Sequence, residues 1–524
     1  MTGKLVTKNN PLITIMDTTL RDGEQTSGVS FTDTEKLSVA KVLLEDVNVD
    51  RVEIASARVS EGEFNAARRI MDWAAEKGHL HRIEILGFVD GRTSLDWINR
   101  AGGKALNLLC KGSYKHVTQQ LRKTPEEHIA DIQKSVDYAT ELGISVNVYL
   151  EDWSNGMRNS KDYVHFMVSK LKEMNIKRIM LPDTLGILNP DETYDFCREM
   201  IDAYPDVLFD FHAHNDYDLA IANVFHAIKA GIGCVHTTVN GLGERAGNAP
   251  LSSVIATVKD HLQMKTNVNE SMLNRVSRIV ESFSGIRIPT NKPLIGEFVF
   301  TQCSGVHADG DNKNNLYFND LLPERFGRTR TYALGKTSGK ANIKANLEDL
   351  GIELSPEALK MVTNRIIELG DRKETVTAED LPYIVADVLQ EDIEQKIFIN
   401  NYALTHAMGL KPSATVSINI DGITYESFAA GDGQYDAFVN AVKSIYKRLK
   451  KPFPKLLDYS VTIPPGGKTD ALVETVIIWE LDREFKTRGL DPDQTAAAIK
   501  ATVRMLNLLE HKTGIEADHE TQNS

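Results

Sequence analysis

Short apolar stretches alternate with longer amphipathic stretches from Ile13 to about Ser284. The short stretches are typical of buried parallel strands, because they hold few polar side chains and end in polar turns. Strands are predicted at Ile13–Asp17, Arg51–Ala55, Arg82–Leu86, Ala105–Leu109, Ser145–Leu150, Arg178–Leu181, Leu208–Phe211 and Val235–Thr238. Helices are predicted at Thr32–Leu44, which a capping box of Thr32 and Glu35 opens, and at Asn65–Glu76, Thr124–Leu142, Asp162–Met174, Pro190–Ala203 and Leu219–Ala230. The alternation predicts an α/β fold.

Strand–helix units of about 30 residues each, repeated eight times, are what a closed (β/α)₈ barrel, or TIM barrel, requires. An open, doubly wound parallel sheet is the alternative for such an alternation. However, no Gly-x-Gly-x-x-Gly follows the first strand, so the dinucleotide site of an open sheet has no support. We therefore predict a TIM-barrel catalytic domain over residues 1–285.

The alternation ends near residue 286, and two further regions follow. Residues 286–391 are predicted to be linker subdomains, with helices at Asn342–Leu350, Pro356–Gly370 and Ala378–Leu389. Residues 392–512 are predicted to form an α+β domain with an internal pseudo-repeat of strands and a helix. Its strands are predicted at Ile397–Leu404, Ala414–Ile420, Thr424–Ala429, Leu457–Ile463 and Leu472–Leu481, and its helices at Ala437–Leu449 and in a stretch ending near Leu508. The polar tail, residues 513–524, is predicted to be disordered.

The composition limits the partners and the compartment. Apolar residues make up 42% of the 524 residues and charged residues 25%, as in ordinary soluble proteins. The net charge of −13, without a basic block, argues against nucleic acid and anionic membranes as partners. Four cysteines without paired metal spacing suggest reduced thiols, and the N-terminus lacks a signal-peptide apolar region. We expect a cytoplasmic enzyme without a membrane span.

Candidate chemistry begins in the loop after the first strand, Asp17 to Gln25. Arg21 and Asp22 are adjacent there and opposite in charge, so one could hold an anionic or carbonyl oxygen while the other binds a cation. The alternative is an ion pair in a strand–helix turn.

A second set of ligands lies far down the chain. His212 and His214 are two positions apart on a predicted strand, so both imidazoles can reach one ion. The glycine-rich segment that follows ends in Asn248. Together with Asp22, these side chains offer two nitrogen and two oxygen ligands, which suits Mg²⁺, Mn²⁺ or Zn²⁺ with positions left for substrate.

Barrel closure brings these residues to one rim, because strands 7, 8 and 1 become neighbours. Across the barrel, Tyr149 and Glu151 share one face of strand 5, and Thr184 follows strand 6. Leu86 and Leu109, at the predicted ends of strands 3 and 4, add an apolar wall beside Tyr149. Each of these residues also has a purely structural interpretation. Glu151 could cap the next helix, and the Thr184 hydroxyl could satisfy the backbone of a turn. The three wall residues could simply complete the hydrophobic core of the barrel.

These segments carry a resemblance to a known family. The loop Arg21–Gln25, the run His212–Asp216 and the segment Gly241–Asn248 resemble those of the 2-isopropylmalate, homocitrate and citramalate synthases. The resemblance runs from near residue 11 to near residue 510. It implies a metal-dependent TIM-barrel acyltransferase that condenses acetyl-CoA with a 2-oxo acid and then hydrolyses the thioester.

The resemblance also implies roles for single residues. Arg21 would help to polarise the keto carbonyl, and Glu151 would remove a proton from the acetyl methyl group with support from His307. Thr184, and more weakly Asp309, would contact the substrate. In this family the linker subdomains cover a partner subunit's barrel mouth, so a homodimer is implied in which His307 and Tyr317 reach the active site.

The oxo acid is the finer question. The wall formed by Leu86, Leu109 and Tyr149 resembles that of the citramalate synthases, which use pyruvate and lead toward isoleucine. The alternative is 2-isopropylmalate synthesis from 2-oxoisovalerate, which leads to leucine. A retired barrel that only senses amino acids, and a C–C lyase on the same metal site, are more distant hypotheses.

The C-terminal domain resembles the family's allosteric domain, which binds a branched-chain amino acid at a dimer interface. We expect feedback inhibition by isoleucine, or by leucine under the alternative. Helix N-termini at both halves of the pseudo-repeat favour the effector's carboxylate. The expected effector residues are Tyr435, Asp436, Leu456, Tyr459, Ile463, Val473, Pro492 and Gln494.

Overall fold

The chain divides into two units. The computed structural model describes residues 12–304, 310, 316, 319–350, 352–371, 376, 378–389, 396–462, 473–481 and 484–521. One unit comprises Met1–Thr301 with Phe318–Thr331, and the other comprises Gln302–Tyr317 with Tyr332–Ser524. Within the described ranges, no helix is long and apolar enough to cross a membrane.

Eight parallel strands of the first unit close into a barrel in chain order, with strand 8 paired to strand 1. The strands are β1 Thr14–Asp17, β2 Arg51–Ser56, β3 Ile83–Phe88, β4 Ala105–Lys111, β5 Ser145–Glu151, β6 Arg178–Asp183, β7 Phe209–Ala213 and β8 Cys234–Thr237. The predicted TIM barrel is therefore confirmed, and closure excludes the open sheet.

Helices follow the strands and cover the barrel. They are α1 Asp33–Lys41, α2 Glu61–Lys77, α3 Thr93–Ala101, α4 Pro125–Glu141, α5 Trp153–Asn159, α6 Lys161–Leu171, α7 Pro190–Ala203, α8 Ala220–Ala230, α9 Leu251–Asp260 and α10 Leu273–Ser284. The helix α1 starts at the predicted capping box, in which Thr32 and Glu35 each bond the other's backbone N–H. The apolar faces of the barrel helices pack against the strands in one continuous core.

Four strands run further than predicted. The strands β3, β4, β6 and β7 end at Phe88, Lys111, Asp183 and Ala213, each about two residues beyond the last apolar position of the pattern. Hydrogen bonding between neighbouring strands continues past the apolar stretch, because polar side chains can point into the rim of a barrel. Leu86 and Leu109 therefore lie inside strands and not at their ends, contrary to prediction.

The second unit contains two three-stranded antiparallel sheets. Their strands are β11 Ile397–Thr405, β12 Ser413–Ile420, β13 Ile423–Ala430, β14 Lys455–Thr462, β15 Val473–Glu480 and β16 Glu484–Asp491. The first sheet is followed by α14 Gln434–Arg448 and the second by α15 Gln494–Thr521, which confirms the pseudo-repeat. Two-residue strands, β9 Thr301–Gln302 and β10 Thr331–Tyr332, pair with each other.

Two predictions for this unit are wrong. The strand β16 was missed, because its sequence carries charges at alternate positions and few apolar residues, as an edge strand does. The helix α15 runs to Thr521, past the predicted end near Leu508 and into the tail predicted to be disordered. The stretch after Leu508 holds no proline and several good helix formers, so nothing in it ends the helix.

A separate small helical cluster lies within the second unit. It consists of α11 Lys340–Asp349, α12 Pro356–Asp371 and α13 Leu381–Leu389, close to the helices predicted there. Ile343, Val362 and Ile366 are buried at its centre.

Candidate active site

The loop after β1 is held rigidly by a buried lysine. The backbone N–H of Asp22 donates to the carbonyl of Thr18 at 2.8 Å, which turns the chain sharply after the strand. Lys36, only 1% exposed, donates to the carbonyl of Leu20 at 3.0 Å and pairs with Glu24 at 2.6 Å. A buried ammonium must be fully paired, so it fixes both sides of the loop. Asp22 is thereby aimed at the barrel mouth.

Three potential metal ligands meet beside this loop. Nε2 of His212 lies 3.1 Å from Oδ2 of Asp22, and Nε2 of His214 lies 3.9 Å from the same oxygen. All three side chains are buried, and their ligand atoms lie within 4.8 Å of one another. The structure thus brings together the aspartate and both histidines predicted as ligands.

A glycine turn delivers Asn248 to the same place. Gly247 has φ +86°, and a Cβ atom there would lie 2.0 Å from the carbonyl oxygen of Gly241, so only glycine fits. Asn248 then pairs with His214 across an isolated bridge, and its amide nitrogen donates to the carbonyl of Leu242 at 3.2 Å. The amide oxygen is left for another partner.

The chemistry of this donor set fits a divalent cation. Both carboxylate oxygens of Asp22 and the amide oxygen of Asn248 are buried without a hydrogen-bond partner among the described residues. Arg21, His212 and His214 outweigh the effect of burial and hold the pKa of Asp22 well below its usual range. Burial lowers the pKa of His214 to about 4. The set therefore offers a carboxylate and a neutral imidazole at neutral pH, as metal binding requires.

Arg21 is clamped from three directions. It donates from Nε to Glu53 and from Nη2 to the Tyr149 hydroxyl at 3.3 Å, and its Nη1 lies 3.2 Å from Oδ2 of Asp22. The ion pair considered for Arg21 and Asp22 is therefore present. A guanidinium has five N–H groups, and Glu53 and Tyr149 accept from two of them, so N–H groups remain for a substrate oxygen beside the ion pair with Asp22.

Polar floor residues of the barrel were missed by sequence reasoning. Glu53 accepts from Asn107 at 2.7 Å as well as from Arg21, and Asn147 donates to Asn107 at 2.8 Å. A signal for them exists, because each is a lone polar residue near the middle of an otherwise apolar strand. The strands β4 and β5 are paired and β2 lies one strand further round the barrel, and the hydrogen bonds from Asn147 to Asn107 and from Asn107 to Glu53 link the three polar positions inside it.

A second buried cluster lies beneath the first. Asp210, Cys234 and His236 also bring their potential ligand atoms within 4.8 Å of one another. Asp210, however, accepts from Arg51 through one oxygen and from Arg178 at 3.0 Å through the other. Burial opposes its ionisation, but Arg51, His236 and Arg178 together outweigh burial and hold the pKa of Asp210 below its usual range. This cluster is already neutralised by protein cations.

The predicted wall residues lie in one buried group. Leu86 and Tyr149 pack with Met16 and Met180, and Leu109 packs against them. Tyr149 is only 3% exposed, and its ring lies edge-to-face to that of His212, with 6.1 Å between the centroids. The wall therefore adjoins the candidate metal ligands.

Glu151 and Thr184 are both engaged at the rim. Glu151 is half-buried at the end of β5 and forms an ion pair with Lys111 at the end of β4. Thr184 accepts a hydrogen bond from the backbone N–H of Asp152 at 2.8 Å, while its own proton can serve another acceptor. Lys111 was missed, because the pattern ended its strand two residues early.

The predicted effector residues lie in the second unit. The Tyr435 hydroxyl lies 2.8 Å from that of Thr502, and its ring tilts against that of Tyr459, with 5.4 Å between the centroids. Leu456 is half-buried and Val473 is buried, whereas Pro492 and Gln494 are exposed. His307, Asp309, Tyr317 and Ile463 lie outside the described residues.

One helix end of this unit is already occupied. Asp436 accepts from the backbone N–H of Asp432 at 2.9 Å, and Asp493 accepts from that of Ala496 at 2.8 Å. The N-terminus of α15 is thus capped by its own carboxylate. Gly433, which precedes α14, provides no side-chain cap. Of the two helix ends expected to bind an effector carboxylate, the start of α14 is the one without a side-chain cap.

Comparisons with known proteins agree with this architecture. The HMGL-like family model matches residues 12–280, the homocitrate synthase post-HMGL domain-like model matches 294–374, and the LeuA allosteric (dimerisation) domain model matches 375–510. The (R)-citramalate synthase CimA of Methanocaldococcus jannaschii is 33% identical over 95% of this chain and 99% of its own length. The 2-isopropylmalate synthase of the same organism is 33% identical over 94% of each chain. The HMG-CoA lyase of Bacillus subtilis aligns with a TM-score of 0.49 at 20% identity, over 56% of this chain and 99% of that chain.

The fold and the site define a TIM-barrel enzyme with a cluster suited to a divalent cation. The chain belongs to the HMGL-like family and, over nearly its full length, to the acyltransferases that include the citramalate and 2-isopropylmalate synthases.

Proposed function

We propose that the protein is an (R)-citramalate synthase, which condenses acetyl-CoA with pyruvate and hydrolyses the thioester to release CoA, in isoleucine biosynthesis. The observation that carries this proposal is the buried wall of Leu86, Leu109 and Tyr149 beside the candidate ligands. A small methyl group fits against such a wall more easily than the isopropyl group of 2-oxoisovalerate does. We further propose a cytoplasmic homodimer.

The first step is binding and polarisation of the oxo acid. Asp22, His212, His214 and Asn248 would hold the divalent cation, which when bound supplies Lewis-acid polarisation of the keto carbonyl. Arg21 has N–H groups left to donate to the same oxygen as negative charge develops there. Its clamp by Glu53 and Tyr149 means that little reorganisation accompanies the reaction. Thr184 would donate its proton to the substrate carboxylate.

Proton abstraction from the acetyl methyl group needs a base at the rim. Glu151 takes this role in the proposal, and Lys111 orients its carboxylate through their ion pair. Glu151→Gln should lower turnover by roughly two orders of magnitude while oxo-acid binding stays nearly intact. Loss of binding with unchanged turnover would make Glu151 a substrate-positioning residue. His307, Asp309 and Tyr317 keep the supporting roles that the resemblance gives them.

Regulation belongs to the second unit in this proposal. The match to an allosteric domain over residues 375–510 supports feedback control by a branched-chain amino acid. Isoleucine is the expected effector of a citramalate synthase. The uncapped start of α14, next to Tyr435, is the place we propose for its carboxylate.

The alternative function is 2-isopropylmalate synthesis, and the equal identity to relatives of both names favours neither. The test follows thiol release with acetyl-CoA and pyruvate, 2-oxobutyrate, 2-oxoisovalerate or 2-oxoglutarate. We expect pyruvate to give the highest kcat/KM, and Leu86→Ala to relax discrimination against 2-oxoisovalerate. Met200→Ala, a buried change on an outer helix, is the matched control. A native preference for 2-oxoisovalerate would replace this proposal with the alternative.

A further inference from the structure

A directed hydrogen-bond chain crosses the barrel beneath the candidate active site. The Tyr149 hydroxyl lies 3.1 Å from Nδ1 of His236, and Nε2 of His236 lies 3.3 Å from Oδ2 of Asp210. All three side chains are buried. The proposed function gives His236 no role, although its ring lies 5.4 Å, centroid to centroid, from that of His212.

The direction of this chain follows from its ends. Asp210 is an acceptor, because Arg51 and Arg178 both donate to its oxygens. Nε2 of His236 therefore carries the proton and donates to Asp210. In a neutral imidazole the other nitrogen then has only a lone pair to offer.

The hydroxyl of Tyr149 must consequently donate to Nδ1 of His236. The hydroxyl oxygen of Tyr149 is then left as an acceptor. Nη2 of Arg21 lies 3.3 Å from it and can only donate. The result is one series of hydrogen bonds in which Arg21 donates to Tyr149, Tyr149 donates to His236, and His236 donates to Asp210.

We propose that His236 is a positioning residue, which turns the Tyr149 hydroxyl proton into the barrel and fixes its oxygen as an acceptor for Arg21. The inference rests on the proposed function, because it also defines what the oxo acid meets. Because its proton is donated to His236 and its oxygen accepts from Arg21, the Tyr149 hydroxyl has no proton left to donate to a substrate. The site therefore favours 2-oxo acids with a short apolar end over those with a polar one, such as 2-oxoglutarate.

A matched control lies on the outside of the barrel. His165 on α6 joins the Tyr204 hydroxyl, 3.0 Å from its Nδ1, to a carboxylate oxygen of Glu199, 2.9 Å from its Nε2. The same three chemical groups therefore occur away from the candidate site. Replacing this histidine removes a similar chain without touching Arg21.

The experiment compares His236→Phe, Tyr149→Phe, the double variant and His165→Phe. We expect His236→Phe and Tyr149→Phe each to raise the KM for the preferred oxo acid about threefold to tenfold, the size of one hydrogen bond. The KM of the double variant should be no higher than that of the single variant with the higher KM. His236→Gln, whose amide can both accept and donate, should recover part of the loss, and His165→Phe should leave KM unchanged. Multiplying effects in the double variant, or an unchanged KM in His236→Phe, would overturn the inference.

A stability measurement separates this inference from the proposed function. If the native protein releases thiol with none of the oxo acids, the proposed function fails. The thermal midpoints of the native protein, His236→Phe, Tyr149→Phe and the double variant still test the pair, because coupled groups give losses that do not add. Non-additive losses support the His236–Tyr149 hydrogen bond, and additive losses overturn it.

Discussion

Two clusters of potential metal ligands share one barrel and differ in whether the oxygens of their carboxylate already accept hydrogen bonds. We call Asp22, His212 and His214 the open cluster, and Asp210, Cys234 and His236 the closed cluster. Each brings three possible ligand atoms within 4.8 Å of one another, and each is buried. In the open cluster both carboxylate oxygens lack a hydrogen-bond partner in the described part of the chain, whereas in the closed cluster both accept from arginines.

The difference shows that ligand geometry alone does not define a metal site. Arg51 and Arg178 neutralise Asp210, so an incoming cation would have to displace one buried and one half-buried guanidinium group. Asp22 faces one arginine at 3.2 Å, and neither of its oxygens accepts a hydrogen bond among the described residues. A cluster can bind a metal ion only if the lone pairs of its carboxylate oxygens are not already taken by cationic side chains of the protein.

Removal of the metal should give the largest effect. Chelator-treated protein is expected to lose thiol release and to regain it with Mg²⁺, Mn²⁺ or Zn²⁺. His212→Ala should lower turnover by roughly three orders of magnitude or more, because the Lewis acid supplies several kcal/mol. Metal content after loading, measured by elemental analysis, should fall in parallel. Full activity in metal-free protein would contradict the assignment of the open cluster.

Breaking the closed cluster should instead affect folding. Asp210→Asn leaves the buried Arg51 and the half-buried Arg178 without this counter-charge, and we expect a loss of about 3–5 kcal/mol in the free energy of unfolding. The control is Asp202→Asn, which removes an exposed pair with Arg198 and should cost roughly 1 kcal/mol at most. Denaturant titration measures both. A small loss for Asp210→Asn would show that the arginines find other partners.

The sequence is sufficient to predict the open cluster and insufficient to predict the closed one. His212 and His214 form a compact motif, and chain order places them next to Asp22 once a barrel is recognised. Arg51 and Arg178 stand at the starts of strands, where a charge looks like a boundary. Their pairing with Asp210 depends on which strands meet inside the closed barrel. For the same reason Glu53 was missed.

Strand ends and helix ends show the same limit. The pattern of apolar residues stops at Leu109, but backbone pairing continues to Lys111, so the partner of Glu151 was missed. Local signals did predict the capping box at Thr32 and the glycine turn before Asn248. Short-range chemistry can thus be read from the chain, whereas contacts between distant strands need the fold.

Asp17 tests an intermediate case, a buried carboxyl group with no cation. One of its oxygens accepts from the backbone N–H of Thr19 at 2.9 Å, and the other has no partner among the described residues. Burial raises its pKa from 3.8 to about 7. The native state therefore prefers the neutral acid, and its stability should fall as the pH rises from about 4 to about 7.

Asp17→Asn should remove this pH dependence. The variant is expected to match the native protein near pH 4.5 and to exceed it in the free energy of unfolding at pH 8, where the native carboxyl group is ionised and buried. Denaturant titrations across this range make the comparison. Parallel curves for the two proteins would show that a ligand or water satisfies Asp17.

Cys234 should give the smallest effect, and it probes the closed cluster most directly. Its sulfur lies 2.9 Å from Nη2 of Arg51, and burial raises the pKa of its thiol to about 11, so it is a neutral, weak acceptor. Arg51 keeps Glu84 and Asp210 when this contact is removed. Cys234→Ala should therefore cost about 1 kcal/mol in the free energy of unfolding, mostly from lost packing.

Cys110→Ala, another buried thiol, measures the packing loss by itself. Metal content and the KM for the oxo acid should stay at native values in both variants. A loss of bound metal in Cys234→Ala alone would mean that the closed cluster also binds a cation, and the distinction between engaged and unused lone pairs would fail.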